Sequence, residues 1–595
     1  MGVPGFFAWI LKNYKKSKMV TNVTSNQDLK DKVSNLFIDT NCLIHPQCFA
    51  ILNENKDLKN IDRLENKMIN QVILYLSEII ELVNPTELIY IAIDGVAPMA
   101  KIKHQRTRRF KSVKDNETKN NIRRKYNVPE EHLWSNACIT PGTVFMDKLS
   151  KAIINYIVHT RNTSNKGRRV LFSSSNTPAE GEHKVLQYIR NNKPKKDEIS
   201  VVYGLDADLL FLSLATHDEN IYLLREAQEL GKEAETSTNG KFNYVSIDIL
   251  RECVINEMTY RIADEGDTEM ENLIRENSEK FINDFIFTCF LLGNDFVPNI
   301  VSLNLRTNNR NIDNGLDIIF EKYGDVFREI NTDINKSLKF LVNSDATLNF
   351  EFLKKICVEL ALHERSFLHQ TFDNRRHYPP APPDASPCDV ELFRLDNISF
   401  KINDPILLGK DDNDKERYYK HYYDINICEK EEKDKVFKMC REYLYGLFWI
   451  NNYYLKDCID WTWCFPHHHG LFISDFSEYI HTLSEAEFKN VFEIPKSNNY
   501  NNIKPFEQLM MVLPRPLAYL LPVQLKNLMN SDSTIKRLSP YNFEQDMLYK
   551  TKLWQAIPMI DMIPISHIQT LVASTKLGEL DLKRNKTMKV YENKM

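Results

Sequence analysis

Five short apolar runs, each followed by a stretch of different periodicity, constrain this chain most: LFID (36–39), LIYIAID (88–94), RVLFSSS (169–175), SVVYGLD (200–206) and NIYLLR (220–225). Runs that stay apolar without alternating suit strands buried on both faces, and so a parallel sheet. Between them the period changes to that of a helix. Met68, Val72, Leu76, Ile79, Ile80 and Val83 share one face, as do Leu149, Ile153, Tyr156 and Ile157. The alternation predicts an α/β layered domain, a mixed and mostly parallel sheet flanked by helices. In such sheets ligands bind beyond the carboxyl ends of the strands.

A chain of 595 residues is expected to hold more than one folding unit. Residues 1–365 read as the first. Residues 366–430, Pro-rich and then charge-rich, read as a linker or surface excursion. Residues 431–575 read as a second, largely helical and aromatic-rich region, and 576–595 as a frayed polar tail. The net charge of −4 gives no global field for nucleic acid, although local patches remain open. Eleven cysteines without a CxxC pair argue against both a disulfide framework and a zinc site. No signal peptide is recognisable, and no apolar run reaches the ~20 residues needed to span a bilayer. A cytoplasmic protein is expected, with nuclear location not excluded.

Acidic residues follow the apolar runs. Asp39, Asp94 and Asp206 end three of them, and Asp208 stands two residues on. A fourth run leads into TPAEGEH, which sets Glu180 and Glu182 at the start of a helix. The helix FINDFIFTCFLL (281–292) leads into GNDF and presents Asp295 at its exit. Asp284, inside that helix, reads as structural. Any one of these residues could simply cap a helix or end a strand, and Glu180 could answer a helix dipole. Four aspartates at the ends of apolar strands point instead to one shared site. Like charges a few ångströms apart repel by about 1–4 kcal/mol per pair at surface-like dielectric. Hard divalent cations resolve that repulsion, and Mg²⁺ or Mn²⁺ suits carboxylate oxygens. Two such ions would stabilise both the attacking water and the leaving 3′ oxygen of a phosphodiester.

From Lys101 to Lys125 there are eleven Lys or Arg residues against Asp115 and Glu117. Lys101, Gln105, Arg108 and Arg109 fall at i, i+4, i+7 and i+8, one face of a helix that begins shortly after Asp94. A solvated basic helix would look the same. The acids next door favour a pocket for a terminal phosphate, with arginine forks and a point-charge ammonium. This helix is expected to be short.

The segments MGVPGFFAWI, FIDTNCLIH, IAIDGVAPMAKIKHQRTRRF, ITPGTVFM, PAEGEHKVLQYIR, YGLDADLLFLS and FLLGNDFVP resemble, in that order, the motifs of the XRN 5′→3′ exoribonucleases. So do YGLFWINNYYLKDCIDWTWCFPHHHGLFISDF, PFEQLMMVLP and WQAIPMIDMIP farther on. The resemblance implies a nuclease core related to the PIN and flap-endonuclease folds, in a short form. It implies that Asp39, Asp94, Glu180, Glu182, Asp206, Asp208 and Asp295 bind two catalytic metals, and that Lys101, Gln105, Arg108 and Arg109 hold a 5′-monophosphate. It further implies that His45 stacks on the first base together with Trp461 or Trp463. From the residues alone, His45 reads as a buried histidine and both tryptophans as core. Ala179 departs from the family, which has Gly before the first Glu.

The expectation is therefore a monomeric enzyme that digests single-stranded RNA with a 5′-monophosphate, processively, to nucleoside 5′-monophosphates. Each new 5′-phosphate would re-enter the same pocket. Protein partners are left open. A flap endonuclease or DNA exonuclease on the same core is the alternative. The aromatic second region and a short pocket helix weigh against it, because a threading arch needs length. A non-catalytic RNA-binding scaffold would be expected to lack an acid, and none is missing.

Overall fold

A computed structural model describes residues 6–14, 17–23, 29, 31–55, 58, 60–130, 134–226, 241–303, 315–333, 337–373, 380–398, 404–493 and 503–593. The five apolar runs form five adjacent parallel strands, β2 (Val33–Asp39), β3 (Leu88–Ala92), β4 (Arg169–Ser173), β5 (Ile199–Tyr203) and β6 (Ile221–Glu226). Their side chains are buried almost throughout, which is why the runs lack alternation. β1 (Val20–Asn22) and β7 (Phe242–Ser246) extend one side antiparallel. The order is β1-β7-β6-β5-β2-β3-β4, with the short strand Tyr591–Glu592 outside β4, eight strands in all.

From β2 the chain progresses through β3 to β4 on one side, then returns to place β5 and β6 on the other. The strand order therefore reverses at β2, the place where open α/β sheets form a crevice at their carboxyl ends. Asp39 closes β2 at that point. Helices cover both faces: α1 (Phe6–Asn13), α2 (Asn41–Glu54), α3 (Ile61–Val83), α4 (Met99–Lys125), α5 (Val144–Thr160), α6 (Gly181–Asn191) and α7 (Asp208–Leu214). One core layer includes Phe37, Tyr90, Val202 and Leu223, the other Leu36, Ile38, Ile89, Ile91 and Val201, as successive residues of a strand must divide.

Three expectations change. Helix α4 is not short: it has 27 residues, ~40 Å at a rise of ~1.5 Å per residue. It is nonetheless pinned and does not stand free as an arch. Arg106, 1% exposed, donates to the carbonyls of Met511 (2.6 Å), Asp561 (3.1 Å) and Leu538. Farther along, Lys119 pairs with Asp396 at 2.8 Å and Lys125 with Glu391 at 2.7 Å. The second change concerns the stretch 366–430, which is packed where it is described. Helix Asp414–Tyr423 buries Tyr418 and Tyr419, and Arg365 reaches Asp414 at 2.8 Å. Its acids, Glu391 and Asp396, are the ones that meet α4. Finally, the tail is not wholly frayed. Tyr591–Glu592 pairs antiparallel with β4 through Tyr591 to Phe172 and Glu592 to Leu171.

The second region closes over the carboxyl ends of the strands. Its long helix Lys430–Leu455 brings fully packed Trp449, Tyr453 and Tyr454 towards α6. Tyr453 stacks on His183 with ring centroids 3.8 Å apart. Asp284 is structural, as its place inside a helix suggested: it accepts from Tyr323 Oη (2.6 Å) and from the amides of Leu341 (2.8 Å) and Val342 (2.7 Å). No described helix is long and apolar enough to cross a membrane.

Candidate active site

The seven carboxylates of the sequence reading lie together at the carboxyl edge of the sheet, and backbone economy explains how. Asp39 ends β2, Asp94 stands two residues beyond β3, and Asp206 and Asp208 follow β5. Gly181, at the start of α6, packs directly on the strand ends. A Cβ there would come within 2.5 Å of Asp39 Oδ1 and 3.3 Å of Asp94 Oδ1, so only glycine lets Glu180 and Glu182 approach so closely. Its amide donates to Asp94 Oδ1 at 2.7 Å. Asn41 grips the same aspartate from the other side, donating from Nδ2 to Asp94 Oδ2 at 2.6 Å and accepting from the Asp94 amide at 3.2 Å. Asp295 enters from the turn after Gly293, whose φ of +82° carries the chain away from the helix.

The electrostatics are those of crowded acids. Burial, then Asp94 and Asp206, push the Asp39 carboxyl well above its usual range. Burial, then Asp206, do the same to Glu182, and raise Asp208 to about 7. Asp208 Oδ1 is buried with no hydrogen-bond partner. Lys101 answers part of this charge: its ammonium lies 2.9 Å from both Glu180 Oε2 and Asp295 Oδ2. Burial works against that charge, but Asp295 and Glu180 outweigh it and hold the ammonium well above its ordinary value. His104 Nδ1 sits 3.1 Å from Asp295 Oδ2. Although burial raises Asp295, His104 and Lys101 bring it well below the usual carboxylate range.

Among the described residues, Lys101 and His104 pair directly with only two of the seven acids, Glu180 and Asp295, so much of the negative charge is left for other partners. A donor set made wholly of carboxylate oxygens, one of them orphaned in the interior, fits hard divalent cations such as Mg²⁺ or Mn²⁺. His183 adds a further donor: its ring nitrogen and carboxylate oxygens of Glu180 and Glu182 lie within 4.8 Å of one another. Burial holds its ring neutral.

The four residues expected on one face of α4 divide in function. Lys101 is committed to the acids. Gln105 Oε1 accepts from Gln508 Nε2 at 3.1 Å, and Gln508 Oε1 in turn accepts from the amide of Ala97 at 2.9 Å. Arg109 donates to Thr140 Oγ1 at 2.8 Å, while its buried Nη1 has no hydrogen-bond partner. Arg108 is exposed. His45, half-buried on α2, lies within the field of both arginines. Burial, then Arg108 and Arg109, lower it to about 4, so the imidazole is neutral at physiological pH.

The two tryptophans differ. Trp463 packs against Trp449 (centroids 5.1 Å) and Tyr445 (5.8 Å) and touches the helix at Gly446, where a Cβ would meet its ring at 3.1 Å. Trp461 is tied to α4 through its backbone, its carbonyl accepting from the amide of Met99 at 2.9 Å. The histidines of the HHH stretch are braced by acids: His467 Nε2 lies 2.7 Å from Glu442 and His469 Nε2 3.0 Å from Asp546. Ala179, the departure from glycine, has φ +87°.

Sequence comparison matches this architecture to known proteins. Residues 1–227 match the family model described as XRN 5′-3′ exonuclease N-terminus, and residues 275–380 and 391–591 that of the Xrn1 helical domain. The chain belongs to the XRN family. Six of the seven acids fall in the first XRN stretch and Asp295 in the second, so the site is completed across both. The human 5′-3′ exoribonuclease 1 is 29% identical over 95% of this chain, which covers 33% of the human protein. The fly 5′-3′ exoribonuclease 2 homolog is 29% identical over 95% of the chain and 70% of its own length. The fission-yeast 5′-3′ exoribonuclease 1 is 27% identical over 98% of the chain and 49% of its own length. The chain thus spans between a third and about two thirds of these XRN relatives.

Sequence reading missed Asn41, whose faint signal was an amide two residues after a strand-end aspartate.

Proposed function

We propose that this chain is a 5′→3′ exoribonuclease that degrades single-stranded RNA bearing a 5′-monophosphate, processively, into nucleoside 5′-monophosphates. The observation that carries this reading is the juxtaposition of a seven-acid cluster, four of whose members are buried, with Arg108, Arg109 and His45 on neighbouring helices. An orphaned guanidinium nitrogen on Arg109 supports an anion as its partner, since buried donors are rarely left unmade. The terminal phosphate would rest on Arg108 and Arg109 with Gln105 beside them. Lys101, held by Glu180 and Asp295, would stand between this pocket and the acids.

Two divalent cations, Mg²⁺ or Mn²⁺, would be held by Asp39, Asp94, Glu180, Glu182, Asp206, Asp208 and Asp295. When bound they would supply Lewis-acid stabilisation of charge on the scissile phosphate and a more acidic water. The protein's own residues position the substrate. His45, uncharged at working pH, offers a flat face for the first base. Trp461 is the better candidate for the opposite face, because Trp463 is engaged by Trp449 and Tyr445. Stacking holds a single strand without reading its sequence. A pocket closed by α4 would exclude a cap or triphosphate by size and charge.

The deciding experiment compares one RNA sequence carrying four different ends: monophosphate, triphosphate, cap and hydroxyl. Monophosphorylated RNA should be consumed far faster than the rest, and chelator should stop the reaction. Equal rates, or cleavage of a circular RNA, would replace this reading with that of an endonuclease.

A further inference from the structure

Two buried basic side chains border the acid cluster without being part of it. Lys184, 5% exposed, lies on α6 two residues after Glu182. Its Nζ donates to the carbonyls of Ile93 at 2.6 Å and Ser174 at 2.9 Å. Ile93 immediately precedes Asp94, and Ser174 follows β4. One side chain therefore ties the exits of β3 and β4 to the start of α6. Arg225, 3% exposed near the end of β6, does the corresponding work on the other side. Its guanidinium donates to the carbonyl of Leu205 and, at 3.3 Å, to that of Asp206. The next residue, Glu226, accepts from Tyr203 Oη at 2.6 Å and Tyr75 Oη at 2.7 Å. Tyr203 is the last residue of β5, so the end of β6 grips both β5 and the loop that leaves it.

We propose that Lys184 and Arg225 are positioning residues for the divalent-cation site: they preset the aspartates by fixing the main-chain carbonyls beside them. A peptide unit is planar, so holding the carbonyl of Ile93 fixes the amide and Cα of Asp94. Holding the carbonyls of Leu205 and Asp206 fixes Asp206 and the peptide leading to Asp208 in the same way. Without these clamps, mutually repelling carboxylates would spread, and ion binding would have to reorder the loop. Arginine suits the second position because its fork reaches two successive carbonyls, which an ammonium does not.

The proposal rests on the acids being a cation site, and the test separates the two. Mn²⁺ binding to the RNA-free protein is measured by electron paramagnetic resonance for wild type, Arg225→Lys, Lys184→Gln and Asp284→Asn. Partners that orient metal ligands typically change affinity about 10- to 100-fold. A rise of that size in the Mn²⁺ dissociation constant is expected for Arg225→Lys and Lys184→Gln. Asp284→Asn removes a buried structural carboxylate whose partners, Tyr323, Leu341 and Val342, lie outside the cluster, so it should lower the melting temperature yet leave Mn²⁺ affinity within twofold. Affinity for a 5′-phosphorylated oligonucleotide in chelator should be unchanged in all four. Wild-type Mn²⁺ affinity in folded Arg225→Lys and Lys184→Gln would overturn the proposal while leaving the cation site standing. Failure of wild type to bind Mn²⁺ would overturn both. Hydrogen exchange of wild type in chelator gives a reading independent of any variant's folding. The amides of Asp94, Gly95 and Asp208, which donate to Asn41 Oδ1, the Ala179 carbonyl and Asp206 Oδ1, should exchange as slowly as those of β5, and rapid exchange there would refute presetting.

Discussion

Replacing Asp208 by Asn should stabilise the protein in chelator and weaken it relative to wild type in Mg²⁺. Asp208 is 2% exposed, one of its oxygens has no partner, and burial followed by Asp206 raises its carboxyl to about 7. An unfolded chain ionises the same group near ~3.9, a difference of about 3 units or ~4 kcal/mol. The sign follows from which state releases its proton earlier. Between pH ~4 and ~7 the unfolded chain is ionised while the folded one is not, so stability falls as pH rises, then levels off above 7. Asn removes this penalty but buries an amide whose own hydrogen bonds are incomplete, which costs about 1–3 kcal/mol. The net gain at pH 8 in chelator is about 2 kcal/mol. At pH 5 the penalty in wild type is only ~1.5 kcal/mol, so the two proteins should be level. An unfolding entropy of ~2.1 cal/mol/K per residue over ~600 residues converts the pH 8 gain to about 2 °C in Tm. Ions at about 100-fold their dissociation constant stabilise wild type by ~2.7 kcal/mol, and a variant missing a ligand by less, so Mg²⁺ should invert the order. Thermal unfolding of both proteins at pH 5 and 8, with chelator and with Mg²⁺, tests all of this. A variant less stable than wild type in chelator at pH 8, or an order unchanged by Mg²⁺, would refute the reasoning.

Other perturbations isolate other parts of the site. Arg108→Ala combined with Arg109→Ala should flatten the preference for monophosphate ends, raising KM and lowering turnover through misplacement, with Mn²⁺ affinity unchanged by calorimetry. Trp461→Ala should weaken single-stranded RNA binding by the ~1–3 kcal/mol of one stacked base with little change in Tm, whereas Trp463→Ala should lower stability by about 3–5 kcal/mol through a cavity. Binding assays and melting curves on the two variants would show the reverse pattern if Trp463 were the stacking ring. Ala179→Gly should raise stability by about 1 kcal/mol, because a Cβ at φ +87° is strained by more than the entropy that glycine adds to the unfolded chain. A lower denaturation midpoint in that variant would mean that the Ala179 methyl makes a contact worth more than the strain.

Much of this arrangement was legible along the chain because its signals are local. Apolar continuity marks a doubly buried strand from four or five residues, and an acid at its end needs no partner to be noticed. Hence β2 to β6 and the seven carboxylates could be read along the chain, as could Asp284, whose place inside a helix separated it from them. What could not be read was where each charge would spend itself. Lys101, Arg106, Arg108, Arg109, Lys119 and Lys125 belong to one basic run. Packing sends Lys101 to two acids of the cluster, Glu180 and Asp295, Arg106 to three main-chain carbonyls and Lys119 and Lys125 to acids of a supposed linker.

The sequence by itself determined the α/β class, the order of the strands' acids and the length of chain between them, since periodicity and strand-end residues depend on neighbours a few positions away. Only the tertiary structure decided that the second region seals the site through Tyr453 and Tyr454, that Trp463 is packed and Trp461 stands at α4, and that Tyr591–Glu592 closes the sheet against β4. Apart from the Trp449–Trp463 packing, those contacts join residues hundreds of positions apart. Their free energy comes from complementary surfaces and from pairing buried donors with acceptors, and neither leaves a pattern in the residues on one side alone.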